Sequence, residues 1–362
     1  MGLHRVQEWL VLGTAAVFSA GHAAVGLVLL LASVVAEAVV SRRIPWRRSA
    51  LDVYLLAFVG ILTVSGFLSP FQSVAMGSAA LAGLTISVAY GIVYRTLSRD
   101  RGIIRPLLGI WFWGGVSAAA LAAYLFVVDG GPQARLPALG PNALGSTLLI
   151  ALILGTGLLL LPAKTSLRTA AGAAGVLLIL LMLVLTLSRG AWIGAGFGLA
   201  ALLLFSWRRL TQSSPRHRHT WVVVLAVVSV LAGSISLLGG EPAVLQKKVL
   251  SIINPWRNRE RLFIARSALA IAADHPLVGS GLNTFFLIHP HPSLRADALA
   301  SKPKTRVQSF AHNIFLNMAA EVGLLGLAVF VAVLIRGAAA GWRWYAAAAG
   351  IDRTVSATVL AA

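Results

Sequence analysis

Three short stretches of this sequence set charged or titratable side chains beside glycine or proline within long apolar surroundings. Leu187-Ser188-Arg189-Gly190-Ala191-Trp192 puts one positive charge next to a tight turn between two apolar runs. Arg261 through Gly281 follows, closing on Asp274-His275-Pro276-Leu277-Val278-Gly279-Ser280-Gly281. The third is Ala311-His312-Asn313, then nine residues, then Gly323-Leu324-Leu325-Gly326. Arginine is permanently charged, and its planar fork fits phosphate oxygens. Histidine can take a proton from a hydroxyl near neutral pH. Arg189, Arg261 and His312 together suit a transfer that needs an anionic leaving group held and an attacking hydroxyl deprotonated. The chain has no cysteine, so thiolate metal sites and cysteine nucleophiles are excluded. Glu241, Glu260, Asp274 and Asp297 are too scattered to suggest a divalent-ion site, so no metal is expected.

The elements that must position these residues are transmembrane helices. Of 362 residues, 58% are hydrophobic and 11% charged, less than half the charged share of about 25% usual in soluble domains. With a mean hydropathy of +0.85, a water-soluble fold is excluded. An apolar stretch from Trp9 to Val40, divided by Gly21-His22, is too long for the core of a cleaved signal peptide. Further runs lie at 51–69, 74–94, 107–128, 142–162, 169–187, 190–206, 221–238, 314–335 and 341–362. Most are long enough to cross roughly 30 Å of hydrocarbon as helix. They lack the alternation of a membrane β-barrel, and a helix satisfies its own backbone in lipid. The expected fold is an all-α polytopic bundle of about 11 helices with one large outer loop carrying interfacial helices. It divides into N-terminal helices over 1–238, a loop over 239–311 and C-terminal helices over 312–362. The last run is still apolar at Ala362, as in a truncated chain.

The net charge of +19 would suggest nucleic acid in a soluble protein. Here it sits largely in connectors, and no nucleic-acid partner is expected. Ser41–Ala50, Arg95–Arg105, Ala163–Arg168 and Trp207–His219 are rich in Lys and Arg, and Arg336 and Arg343 flank the last connector. The connectors between them, Gly21-His22, Ser69–Ser73 and Asp129–Pro141, are poor in charge. This alternation follows the positive-inside rule and puts the N-terminus in the cytoplasm. Arg189, Arg261 and His312 then fall on the outer side. A direct check uses the cysteine-free background: single cysteines at Ser213 and Ser293 are expected to label from opposite sides of the membrane. Labelling from one side overturns both the topology and the placement of the three residues.

The outer segment carries ten Lys or Arg against four Asp or Glu, which suits a phosphate or pyrophosphate partner. Asn254-Pro255 reads as a helix start, and Pro276 ends the helix near Asp274. At 100° per residue, Arg257 and Arg261 share a side with Ile264, Ala268 and Ile271, whereas Arg259 and Arg266 point away. His275 reads as structural, while His289 and His291 are rival bases that could touch an acceptor. His312 opens the next helix, where the positive dipole end disfavours imidazolium. Glu321 is placed near mid-membrane on the face opposite His312, buried in a structural role and not orienting the imidazole. Gly323 and Gly326 read as close helix packing.

Taken in order, "SRGAW" at Ser188–Trp192, "HPLVGSG" at His275–Gly281 and the His312-Asn313 motif closing on Gly323 and Gly326 resemble the O-antigen ligase and polymerase superfamily of bacterial membrane glycosyltransferases. The spacing after His312 is similar to the ligase branch. Arg135-Leu136-Pro137-Ala138-Leu139-Gly140-Pro141-Asn142 resembles the family's outer loop ending in Pro-Asn, whereas Ala265 departs from an aromatic common there. The resemblance implies an inverting glycan transfer on the periplasmic face of the bacterial inner membrane, with no cofactor, nucleotide sugar or metal. The implied donor is a glycan on undecaprenyl pyrophosphate. In ligases the acceptor is a sugar hydroxyl of lipid A–core; in polymerases it is another lipid-linked repeat unit. It implies catalytic roles for His312, Arg189 and Arg261, and substrate contacts by the two arginines, Asn313, Arg135 and Asn142. A lipid-linked oligosaccharide flippase is the alternative from another class, but a transporter should carry its charges near mid-membrane.

Overall fold

A computed structural model describes residues 49, 51–99, 104–130, 133–136, 140–161, 166–212, 259–288 and 310–362. The expected helices over 9–40 and 221–238, with Arg257, His289 and His291, lie outside the described residues. Within them the chain is helical, with no strand. The helices are α1 (Asp52–Leu68), α2 (Gln72–Arg99), α3 (Ile104–Asp129), α4 (Pro141–Leu159), α5 (Ser166–Leu185), α6 (Arg189–Gln212), α7 (Arg259–Asp274), α8 (Phe285–Ile288), α9 (Ile314–Ala347) and α10 (Gly350–Ala361). Five of them, α3, α4, α5, α6 and α9, are long and apolar enough to cross a membrane. Outward-facing apolar side chains such as Val127, Phe197 and Leu204 are more than 70% exposed. Such surfaces suit lipid and would aggregate in water.

The chain forms two compact units. The first contains α3 to α6, residues 340–362 and therefore α10. Its core gathers Phe112, Leu144, Leu148, Leu152, Ile179, Leu180 and Leu183. In lipid, hydrophobic burial does little to join helices, so close contact between small residues carries the packing. Gly115 allows α3 to approach Ala151 on α4, and Gly155 makes room for Phe112. Gly157 admits Thr358 of α10. The 12 residues of α10 span about 18 Å.

The second unit contains α1, most of α2, α7, α8 and α9 as far as Ala339. Leu62 of α1, Ala79 of α2 and Val322 of α9 form one buried cluster. Helix α9 breaks at Gly323, whose φ of 74° and ψ of −177° are not helical. After the break, residues 324–347 still give about 36 Å of helix, enough to span.

One expectation about this region fails. No connector separates residues 335 and 341, because α9 runs through Arg336 and Arg343 to Ala347. Three of the six residues between the arginines are alanine, the strongest helix former, and arginine stems pack while their heads reach polar or aromatic groups. The Arg336 guanidinium lies 5.5 Å from the Tyr54 ring centre. Trp342 and Tyr345 stack with each other and with Phe205.

Candidate active site

In the second unit, the segment after α7 and the break in α9 are one construction. A continuous helix would bond Leu324 N–H to Ala320 and Leu325 N–H to Glu321. The break at Gly323 frees both donors and both acceptors, and the His275–Gly281 loop takes them all. Ser280 N–H donates to Ala320 O at 3.0 Å, and Gly281 N–H to Glu321 O at 2.8 Å. In return, Leu324 N–H donates to Pro276 O at 2.8 Å and Leu325 N–H to Leu277 O at 3.2 Å. Ser65 Oγ of α1 adds a 3.0 Å bond to Glu321 O, and Ser69 Oγ donates to Ser280 O. Such close backbone pairing requires glycine. A Cβ on Gly279 would run into the backbone of Glu321 and Val322, and one on Gly323 into that of Leu277 and Val278. Both residues also have positive φ. Gly323 is therefore a backbone-pairing break rather than the close-packing helical glycine expected. His275 belongs to the same scaffold, accepting from Gly279 N–H at 3.0 Å.

His312 is exposed two residues ahead of α9, with φ of 53°. Its ring meets Phe310 edge-on at 5.0 Å between centres. The backbone is secured on both sides of it. Ala311 is buried, and its N–H donates to Asn317 Oδ1 at 2.9 Å. Asn313 caps the helix, its Oδ1 accepting from Phe315 N–H at 3.0 Å and Leu316 N–H at 3.2 Å. The Asn313 carbonyl-type oxygen thus serves the helix end.

Ala311 shares a buried cluster with Ile264, Ala268 and Ile271 of α7, Phe285 of α8 and Ala320 of α9. Ile264, Ala268 and Ile271 of the inward face expected for α7 are buried, and Arg266 on the other side is exposed. Arg261 lies in the first turn of α7, three residues before Ile264. Packing therefore ties the helix that carries Arg261 to the segment that carries His312.

In the first unit, Arg189 is the first residue of α6 and is half-buried. The preceding turn bends at Leu187, where φ is 54°. Thr186 Oγ1 and Leu183 O hold it, accepting respectively from Ser188 N–H at 3.2 Å and from Trp192 Nε1–H at 3.0 Å. The loop with Arg135 is anchored at the same end, since Ala134 N–H donates to Leu185 O at 2.8 Å. Ala134 and Leu136 are buried, which leaves Arg135 exposed between them. Asn142, also exposed, lies in the first turn of α4. That turn fits against the Arg189 turn because Gly145 has no side chain; a Cβ there would lie 3.0 Å from Ser188 Cβ and 2.9 Å from Ala191 Cβ. The unit thus gathers Arg189, the Arg135 loop and the start of α4 at one end.

Asn317 is a residue of this region that the sequence alone does not single out. Glu321 is buried and hydrogen-bonded as expected, at 2% exposure. Its neighbours, however, are Phe285 of α8 and Asn317 one turn earlier on α9: Phe285 N–H donates to Oε1 at 3.0 Å, and Asn317 Nδ2 to Oε2 at 2.8 Å. The expected opposition between Glu321 and His312 treated His312 as helical. It stands outside α9, so helical phase does not separate them. The signal available was the i, i+4 spacing of Asn317 and Glu321, which places their side chains together on any helix.

No curated protein matches the chain. Residues 174–331 match the O-antigen ligase family model, an interval that holds the Arg189 turn, α7, the His275–Gly281 loop, His312 and the break at Gly323. The part of the chain that carries these features is similar to the O-antigen ligase family.

Proposed function

We propose that this protein is an O-antigen ligase-type glycosyltransferase that moves a glycan from undecaprenyl pyrophosphate to a sugar hydroxyl of lipid A–core, on the periplasmic face of the inner membrane. The observation that carries the reading is the setting of His312 within the matched domain. It is an exposed histidine in a left-handed conformation, held from both sides by side-chain bonds to the backbone. Such a conformation costs about 1–3 kcal/mol, persists where surrounding structure over-determines it, and clusters at functional sites.

In this reading His312 accepts the proton of the acceptor hydroxyl as that oxygen bonds to the anomeric carbon. The bond from that carbon to the pyrophosphate oxygen breaks, the configuration inverts, and undecaprenyl pyrophosphate leaves with the electron pair. Arg189 and Arg261 hold the pyrophosphate, while Arg135, Asn142 and Asn313 contact the sugars. The chemistry proceeds without a metal, so a chelator leaves the rate unchanged.

The test supplies purified protein in membranes with lipid-linked glycan, with and without lipid A–core. Glycan joined to lipid A–core supports the ligase. Lengthening of the lipid-linked chain without the core acceptor assigns the protein to the polymerases. Movement of intact donor across the membrane with no new glycosidic bond makes it a transporter.

The arginines yield a graded expectation. A charge-assisted contact to phosphate contributes about 1.5–3 kcal/mol, so Arg189→Ala or Arg261→Ala should slow transfer roughly tenfold or more. Arg→Lys should recover part, keeping the charge but losing the fork. Arg266→Ala should be neutral, since Arg266 lies on the exposed side of α7. Equal damage at 261 and 266 overturns the role given to Arg261.

A further inference from the structure

The bonds around Glu321 form a relay with a fixed polarity. Ala311 N–H donates to Asn317 Oδ1 at 2.9 Å, and Asn317 Nδ2–H donates to Glu321 Oε2 at 2.8 Å. Phe285 N–H approaches from the other side, donating to Oε1 at 3.0 Å. Both Glu321 oxygens therefore face donors, which suits a carboxyl group and not an amide. Its backbone oxygen takes Gly281 N–H and Ser65 Oγ–H. One residue thus joins the His275–Gly281 loop, α8, α1 and, through Asn317, the peptide immediately before His312. With Asn313 capping α9 on the far side, His312 stands on a short arch whose two ends are tied to one helix.

We propose that Glu321 and Asn317 are positioning residues for His312: the carboxylate orients the Asn317 amide, which holds Ala311 N–H and fixes the arch that presents the imidazole. The catalytic part rests on the ligase reading above. The relay explains why a carboxylate is buried at this point, and it links the arch to the same loop that occupies the break at Gly323. A side chain displaced by about 1 Å from its reacting position can lose about a hundredfold in rate.

Polarity supplies a test with little change in volume. In Glu321→Gln the new NH₂ group faces either Asn317 Nδ2–H or Phe285 N–H, and turning the Asn317 amide over only moves the conflict to Ala311 N–H. One bond is lost in every arrangement. Asn317→Asp sets a carboxylate against the Glu321 carboxylate. Together the two changes restore all three bonds with the middle one reversed. The aspartate accepts from Ala311 N–H and from the glutamine amide, whose oxygen accepts from Phe285 N–H.

The experiment measures kcat and donor KM for wild type, Glu321→Gln, Asn317→Asp, Asn317→Ala and the double variant, with hydrogen exchange at the Ala311 amide. Each single change should lower kcat by about a hundredfold while donor KM stays within a few-fold. Ala311 exchange should accelerate in the singles, and the double variant should recover most of both kcat and protection. Asn317→Ala removes the bridge without setting like groups together, and so reports even where a polarity conflict prevents folding. Single variants with wild-type kcat, or a double variant no better than the worse single, overturn the proposal. Should wild type transfer no glycan, the ligase reading fails by itself. Exchange then decides the arch, and unchanged Ala311 protection in the singles rejects it.

Discussion

His312→Ala is expected to reduce glycan transfer by about 10²–10⁴ while the protein stays folded and keeps its lipid-linked donor, the range that general-base assistance supplies. That loss corresponds to about 3–5 kcal/mol of barrier. Folding should survive because the arch is tied to its helix on both sides of His312. Ala311 N–H is held by Asn317, and the helix end is capped by Asn313. The ring itself is exposed and meets Phe310 at its edge, so removing it leaves no buried cavity. The measurement is transfer and donor binding in one detergent preparation. Transfer within a few-fold of wild type would move the chemistry to His289 or His291, both in the basic segment before His312. Collapse of donor binding would make His312 a phosphate contact instead.

Much of this framework is legible in the residues because membrane helices announce themselves by length and composition. The expected run 51–69 is helix Asp52–Leu68, 142–162 is Pro141–Leu159, and 190–206 lies within Arg189–Gln212. Pro141 at the first position of α4 and Pro276 just beyond α7 mark the start of one helix and the end of another. The inward face of α7 could be read from helical phase alone, and its packing agrees. The pairing of the His275–Gly281 loop with the break at Gly323 was not legible, because it joins backbone groups about 45 residues apart in the chain and leaves no period in either segment. Its trace is the glycines themselves, at positions where only glycine fits. Charge misled at Arg336 and Arg343: two arginines near an apolar run suggest a loop, but alanine-rich sequence between them continues the helix. Helical phase sets Glu321 opposite His312 only if His312 is helical, and it stands ahead of α9.

The glycine break provides the most demanding test of the scaffold. Gly323→Ala and Gly279→Ala should each destabilise the protein by more than about 4 kcal/mol, a range confined to a few severe mechanisms. At φ 74° and ψ −177°, Gly323 occupies a region essentially reserved for glycine, worth about 1–3 kcal/mol in strain for any other residue. A Cβ there also collides with the Leu277 carbonyl. Moving the chains apart would weaken Leu324 N–H to Pro276 O and Leu325 N–H to Leu277 O, and each buried group left unpaired costs about 1–3 kcal/mol. Relaxing Gly323 to ordinary helix instead would reclaim Ala320 O and Glu321 O for α9 and strand Ser280 N–H and Gly281 N–H. Gly279 meets the same conflict from the loop side, at φ 71° against the Glu321 and Val322 backbone. Gly337→Ala is the control on the same helix. Nothing lies within 4 Å of its Cβ position, and alanine is favoured there by about 1 kcal/mol. Thermal unfolding and protease resistance in detergent should separate the three, with Gly337→Ala at or above wild type and the other two poorly folded. If Gly323→Ala unfolds like Gly337→Ala, α9 is continuous through residue 323 in the working protein. The loop would then need other partners, and Glu321 would lose the backbone bonds that tie it to Gly281 and Ser65.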